Sequence, residues 1–82
     1  MSFGRVESER ELTFGERAVG LTFNPSGDPN VIVLKQSIAA FVDFCNHERE
    51  LARDPEVKRM YSLAITEAQT AQMWAVKAAT WR

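Results

Sequence analysis

Side chains able to do bond chemistry are scarce in this sequence. It holds a single histidine, His47, and a single cysteine, Cys45, and it carries no Walker-type phosphate loop, HExxH or GxSxG pattern. One Cys with one His cannot build a Cys/His zinc site within a chain, and no internal disulfide is possible. At helical spacing His47 falls on a polar side with Gln36, Asp43 and Glu50 and reads as a solvated residue. Cys45 falls on an apolar stripe and reads as core. Glu67 projects beside Leu63, Ala71 and Trp74. A carboxylate there needs a donor, so an intersubunit salt bridge or hydrogen bond is its first reading and a ligand contact its second. The expectation is a protein that is not an enzyme and holds no metal or cofactor.

Residues suited to binding are more numerous. In the stretch of residues 15–28, glycines let the backbone approach a ligand closely. There Phe23 could stack on a base, with Arg17 and, further along, Lys35 offered to phosphates. The turn that carries the ring, Asn24, Pro25 and Ser26, joins the same ligand-binding set. The helix that follows adds free N–H groups for an anion, although Asp28 would itself occupy that N-terminus. The plain alternative is a connecting loop. A second ledge lies later in the chain: Arg59, Thr66, Thr70 and Lys77 share one side of a helical wheel, flanked by Ser62, Gln69 and Thr80. Mid-helix threonines are intrinsically disfavoured, so Thr66, Gln69 and Lys77 are candidate ligand contacts, against simple solvent exposure. Trp74 and Trp81 share one face; an oligomer interface is their first role and stacking on a base their second.

The elements that must position these residues follow from two repeated start signals. Asp28-Pro29 and Asp54-Pro55 each pair a capping carboxylate with a proline at the first helical position. Helices are expected over 29–53 and 55–81, and the short break between them forces an antiparallel hairpin. Residues 1–17 read as a polar arm with room for one short helical turn, and residues 18–23 as an extended segment stopped by Asn24-Pro25. The division expected is an arm, 1–17, and a helical-hairpin domain, 18–82.

On the first helix Val31, Leu34, Ile38, Phe41, Val42 and Cys45 form one stripe, which Val33, Ala40, Phe44 and Leu51 widen to an arc of roughly 200°. A helix with one neighbour needs a stripe of only about 100°. On the second, Val57, Tyr61, Ala64, Ala68, Ala71, Ala75 and Ala78 make a small-residue seam that lets backbones approach, while Leu63, Trp74 and Trp81 lie about a quarter-turn away. A hairpin offers only one partner helix for these two faces. Phe44, Leu63, Glu67, Trp74 and Trp81 are therefore the expected interface of a homo-oligomer.

Size and charge support this all-α reading. A chain of 82 residues buries only about 60% of its unfolded surface when it folds alone. Without disulfide or metal, partner subunits are the remaining stabiliser. Ten basic and eleven acidic residues give a formal charge of −1, unlike the basic balance of a polynucleotide binder. Apolar runs such as Val31-Ile32-Val33-Leu34 are far short of the roughly 20 residues that span a membrane. The N-terminus has no apolar signal-like core. A cytoplasmic protein with no membrane and no polymeric nucleic-acid partner is expected.

Two tracts carry a resemblance: Leu21-Thr22-Phe23-Asn24-Pro25-Ser26-Gly27-Asp28, and residues 62–78 with their Met73-Trp74-Ala75. With them the stretch from Leu12 to Trp81 resembles the phage anti-CBASS and anti-Thoeris cyclic-nucleotide sponges that share a helical-hairpin domain. The resemblance implies a homo-oligomer, typically a hexamer, that works in the host bacterial cytoplasm. It would sequester cyclic di- or trinucleotides such as cyclic GMP-AMP without cleaving them and so blunt host antiviral signalling. It also implies that Phe23 stacks on a base and that basic residues of neighbouring subunits meet the phosphates. One basic position of some relatives falls on Ala39, with Lys35 one turn earlier, which leaves nucleotide preference open. The rival from another class is a small helical adaptor or antitoxin-like interaction module; a DNA-binding regulator is disfavoured by the charge balance.

Overall fold

The computed structural model describes residues 10–81 and is all-helical over them. Of the arm expected over 1–17, residues 1–9 lie outside the described residues. Helix α1 runs Phe14–Val19, α2 Pro29–Leu51 and α3 Pro55–Ala79. The two long helices form the antiparallel hairpin. Each starts as its sequence directs, with Asp28 and Asp54 accepting from the backbone N–H two residues on, at 2.8 Å and 2.9 Å, and proline following at once. Both helices end earlier than expected, at Leu51 and Ala79. Between them, Ala52 turns the chain out of helix, and the Lys58 ammonium donates to the Arg49 carbonyl at 3.0 Å. A cation is favourable there, at a helix C-terminus.

The extended segment expected over residues 18–23 is not formed. Thr13 and Glu16 make a reciprocal capping box that starts α1, so Ala18 and Val19 are its last turn. Gly20 then adopts φ 64°, and Leu21 N–H reaches back to the Glu16 carbonyl at 2.9 Å. This left-handed stop favours glycine, which has no Cβ to clash. A lone strand would have left its N–H and C=O groups unpaired; the capped turn pairs them and buries Val19.

Helix α2 packs against both α1 and α3, which barely touch one another. Its buried face is Val31, Lys35, Ala39, Val42 and Cys45. Val31, Val42 and Cys45 come from the expected stripe, Leu34 and Ile38 are half-buried, and Phe41 stays exposed along with Val33, Ala40, Phe44 and Leu51. Lys35 and Ala39 are buried because α1 lies over them. Gly15 comes so close to α2 that a Cβ there would sit 2.2 Å from the Ala39 carbonyl oxygen. Asp43, expected on the polar side, accepts from Gly15 N–H and the Thr13 hydroxyl, both at 2.7 Å. Its carboxylate thus meets the N-terminal end of α1, where negative charge is favoured. Gln69 secures the other end, donating to the Ala18 carbonyl at 3.1 Å.

The core between the long helices is Val42, Cys45, Ile65 and Ala68, flanked by Ala18, Ile38, Tyr61 and Ala64. Val42 is 0% exposed. On α3 the packed face is rotated from the expected alanine seam: Ile65 and Gln72 are buried, whereas Ala71 and Ala78 are exposed. Branched Ile65 buries more apolar surface than an alanine, and burial scales with area. The domain is flat, 45 × 37 × 13 Å, and among the described residues each long helix keeps an outer side without a neighbour.

Candidate functional site

The loop between α1 and α2 holds its own shape. Asn24 donates through Nδ2 to the Asp28 carbonyl at 3.1 Å. The Ser26 hydroxyl donates to Asn24 Oδ1 at 2.8 Å and accepts from Asp28 N–H at 3.2 Å. Phe23 N–H closes a turn on the Gly20 carbonyl at 2.9 Å, and Gly27, at φ 67°, bonds back to Asn24 at 3.0 Å. With Asn24, Ser26 and Asp28 paired to one another, the loop's exposed aromatic group is the Phe23 ring, 70% exposed.

Beside that ring lies a cavity of about 170 Å³ walled by Phe23, Asn24, Pro25, Ser26, Val31, Lys35, Val76 and Thr80. Its floor comes from the start of α2 and the end of α3, which the antiparallel hairpin brings side by side. The Thr80 hydroxyl donates to the Val76 carbonyl at 2.8 Å, which leaves its lone pairs to accept. Lys35 is only 5% exposed. Its ammonium donates to the Gly20 carbonyl at 2.9 Å and to the Phe23 carbonyl, and it lies 5.5 Å from the Phe23 ring centroid.

Of the residues singled out in the sequence, Phe23, Asn24, Pro25, Ser26 and Lys35 are brought together here. Arg17 is not in this wall; it is exposed on α1 and donates to the Leu12 carbonyl at 2.9 Å. Of the α3 ledge only Thr80 reaches the cavity wall; Arg59, Ser62, Thr66, Gln69, Thr70 and Lys77 do not line it. Thr66 is exposed and its carbonyl accepts from Thr70 at 3.3 Å, Gln69 is spent on α1, and Arg59 pairs with Glu56 at 2.6 Å. Lys77 lies between two indoles, 5.4 Å from the ring centroid of Trp74 and 5.8 Å from that of Trp81. Phe44, Leu63, Glu67, Trp74 and Trp81 are all exposed on this chain, the two indoles at 66% and 69%.

Sequence reasoning missed Val31, Val76 and Thr80 as walls. The signal was present: an antiparallel pair puts the last turn of one helix next to the first turn of the other. His47 is exposed, and Cys45 is buried, with burial pushing its thiol pKa up. Such a thiol is a poor nucleophile, since the thiolate is the reactive form. Among the described residues no group of His, Cys, Asp or Glu is arranged to hold a metal ion, and no helix is long and apolar enough to cross a membrane.

What this arrangement can do is stack a flat group against Phe23 over a small, mostly apolar floor. No curated protein and no solved structure matches the chain. The family described as Acb2/Tad1, hairpin domain, matches residues 16–80, from within α1 to the threonine that closes the cavity. By that match the chain belongs to the Acb2/Tad1 hairpin family of anti-CBASS and anti-Thoeris sponges, proteins that sequester cyclic-nucleotide signals and are not enzymes.

Proposed function

We propose that this chain captures a cyclic di- or trinucleotide such as cyclic GMP-AMP and withholds it, uncleaved, from a host antiviral effector in the bacterial cytoplasm. The observation that carries this reading is the Phe23 ring, left 70% exposed at the rim of a cavity by a loop that pairs its own polar atoms. Family membership supports it and supplies the ligand class.

The cavity's size bears on how the ligand is held. At about 170 Å³ it falls below the roughly 300 Å³ at which small-molecule sites begin. One chain would therefore hold a single base, and a cyclic dinucleotide, with two bases and two phosphates, would use two copies of the site. A two-fold contact provides that from one copy of each residue. The exposed Phe44, Leu63, Trp74 and Trp81 favour such an assembly, and six copies is the stoichiometry we propose. Thr66, Gln69 and Lys77 are then the place to look for a larger cyclic trinucleotide, with Arg17 as a further cation offered to phosphate.

The test is direct. Purified protein is incubated with cyclic GMP-AMP, separated from free ligand, heat-denatured, and the supernatant analysed by chromatography and mass. Recovery of the intact nucleotide supports the sponge. Linearised product that grows with protein would mark an enzyme, and no carried nucleotide would favour the adaptor reading.

A further inference from the structure

We infer that Lys35 is a positioning residue: its ammonium holds the Phe23 loop in the shape that presents the ring, and it does not itself meet a ligand phosphate. This rests on the proposed function and assigns Lys35 a role within that site. A surface lysine poised for phosphate should be open to water. Lys35 is 5% exposed, and two of its three N–H donors are taken by the carbonyls of Gly20 and Phe23.

Those two acceptors are telling. Gly20 is the left-handed residue that ends α1, and Phe23 carries the stacking ring. One cation therefore fastens α1 and the loop to the first turns of α2. A buried ammonium is tolerated only when strong acceptors replace its water. The two carbonyls do so, and the electron-rich face of Phe23, 5.5 Å away, adds a third attraction. The consequence for binding is entropic. An exposed aromatic on a loose loop must be ordered when the ligand arrives, whereas a pinned loop has met that cost in folding.

Lys35→Met and Lys35→Arg test this, each first checked for helicity by circular dichroism. Hydrogen exchange at the Phe23 and Gly27 amides reads loop order, and calorimetry with cyclic GMP-AMP at several salt concentrations reads affinity. A positioning role expects faster loop exchange and affinity lower by about tenfold or more in both variants, the size of a lost base-stacking contact. The salt dependence of Lys35→Met should match the parent, since no phosphate contact is removed. A phosphate ligand gives the opposite pattern. Lys35→Arg would bind as well as the parent through its fork, and Lys35→Met would lose salt sensitivity with the loop unchanged. Either result overturns the inference.

Should both variants misfold, nitrogen NMR of the lysine ammonium in the unaltered protein decides. A slowly exchanging Lys35 signal that keeps its shift and shows no phosphorus coupling when cyclic GMP-AMP binds supports positioning; coupling to phosphorus overturns it. If the parent carries no nucleotide, the proposed function fails, while unchanged loop exchange in Lys35→Met fails the positioning role, so the two failures are read separately.

Discussion

The α1–α2 loop and the outer face of α3 leave opposite things over. In the loop, Asn24, Ser26 and Asp28 satisfy one another and Lys35 satisfies Gly20 and Phe23, so a single ring remains outside. On and just past α3, Leu63, Trp74 and Trp81 are exposed, and Lys77 rests against the two indoles. The loop is complete within one chain and small. The α3 face is broad and wants cover. Large exposed apolar groups gathered on one face are what an interaction surface offers. The contrast teaches that local hydrogen bonding can finish a loop within one chain, whereas apolar area on a flat hairpin can be finished only by another surface.

Breaking the α3 side should give the largest effect. If that face is an interface, Trp74→Ala removes a buried aromatic and should weaken self-association by about 3–5 kcal/mol. Sedimentation equilibrium would read this, with Lys58→Ala, at the hairpin turn, as the milder comparison. A parent protein that remains a folded monomer on dilution would remove the α3 half of the comparison altogether.

Next in size is Gly15→Ala, which attacks the loop side at its foundation. The added methyl would meet the Ala39 backbone carbonyl at 2.2 Å, so α1 must lift from α2. Overpacking of this kind typically costs about 1–3 kcal/mol. Thermal unfolding should show the loss. Nucleotide binding should fall with it, because the carbonyl that Lys35 holds on Gly20 moves with α1. Unchanged binding would mean that the loop does not depend on α1.

Phe23→Ala sharpens the comparison by taking only the ring. Stacking is worth roughly 1–3 kcal/mol per base, so affinity should drop by about tenfold or more while assembly is untouched. A variant that binds as tightly as the parent by calorimetry would make the turn a mere connector and move the search to Thr66, Gln69 and Lys77.

The smallest effect concerns pH and is read on the loop side. Arg10 and the Thr13 N–H hydrogen-bond to the Glu16 carboxylate and hold its pKa below the usual carboxylate value. A depressed folded pKa contributes stability above the unfolded value, lost as pH falls through the folded one. Acidification should therefore fray α1 before the hairpin opens. Hydrogen-exchange protection at residues 16–21, taken relative to the intrinsic rate at each pH, should fall at acidic pH in the parent, and Glu16→Gln should remove most of that pH dependence.

Much of this molecule could be read without coordinates. Asp28-Pro29 and Asp54-Pro55 mark both long helices because an Asp cap and a proline at the first position act within a few residues. Phe23, Asn24, Pro25, Ser26 and Lys35 could be grouped because they lie close along the chain. Of helix α1 only a short turn within the arm was legible, and its continuation through Ala18 and Val19 was read as extended, because its residues have mixed propensities; what decides it is a capping box joined to a close contact with α2. Val76 and Thr80 were missed because they are distant in sequence and reach the cavity only through the hairpin.

The sequence by itself determined the helix starts, the hairpin connection, the lack of an evident catalytic set and the family, since these rest on local stereochemistry and residue identity. Only the tertiary structure decided which face of each helix is inside. It turned α3 onto Ile65 and Gln72, laid α1 across Ala39, and drew Asp43 under the N-terminus of α1. It also took the charge of Lys35, free on any helical wheel, and set it against two carbonyls. A wheel knows the angle of a side chain about its own axis. What stands beyond that side chain depends on how neighbouring helices share burial and hydrogen bonds, and that is settled by the whole chain at once.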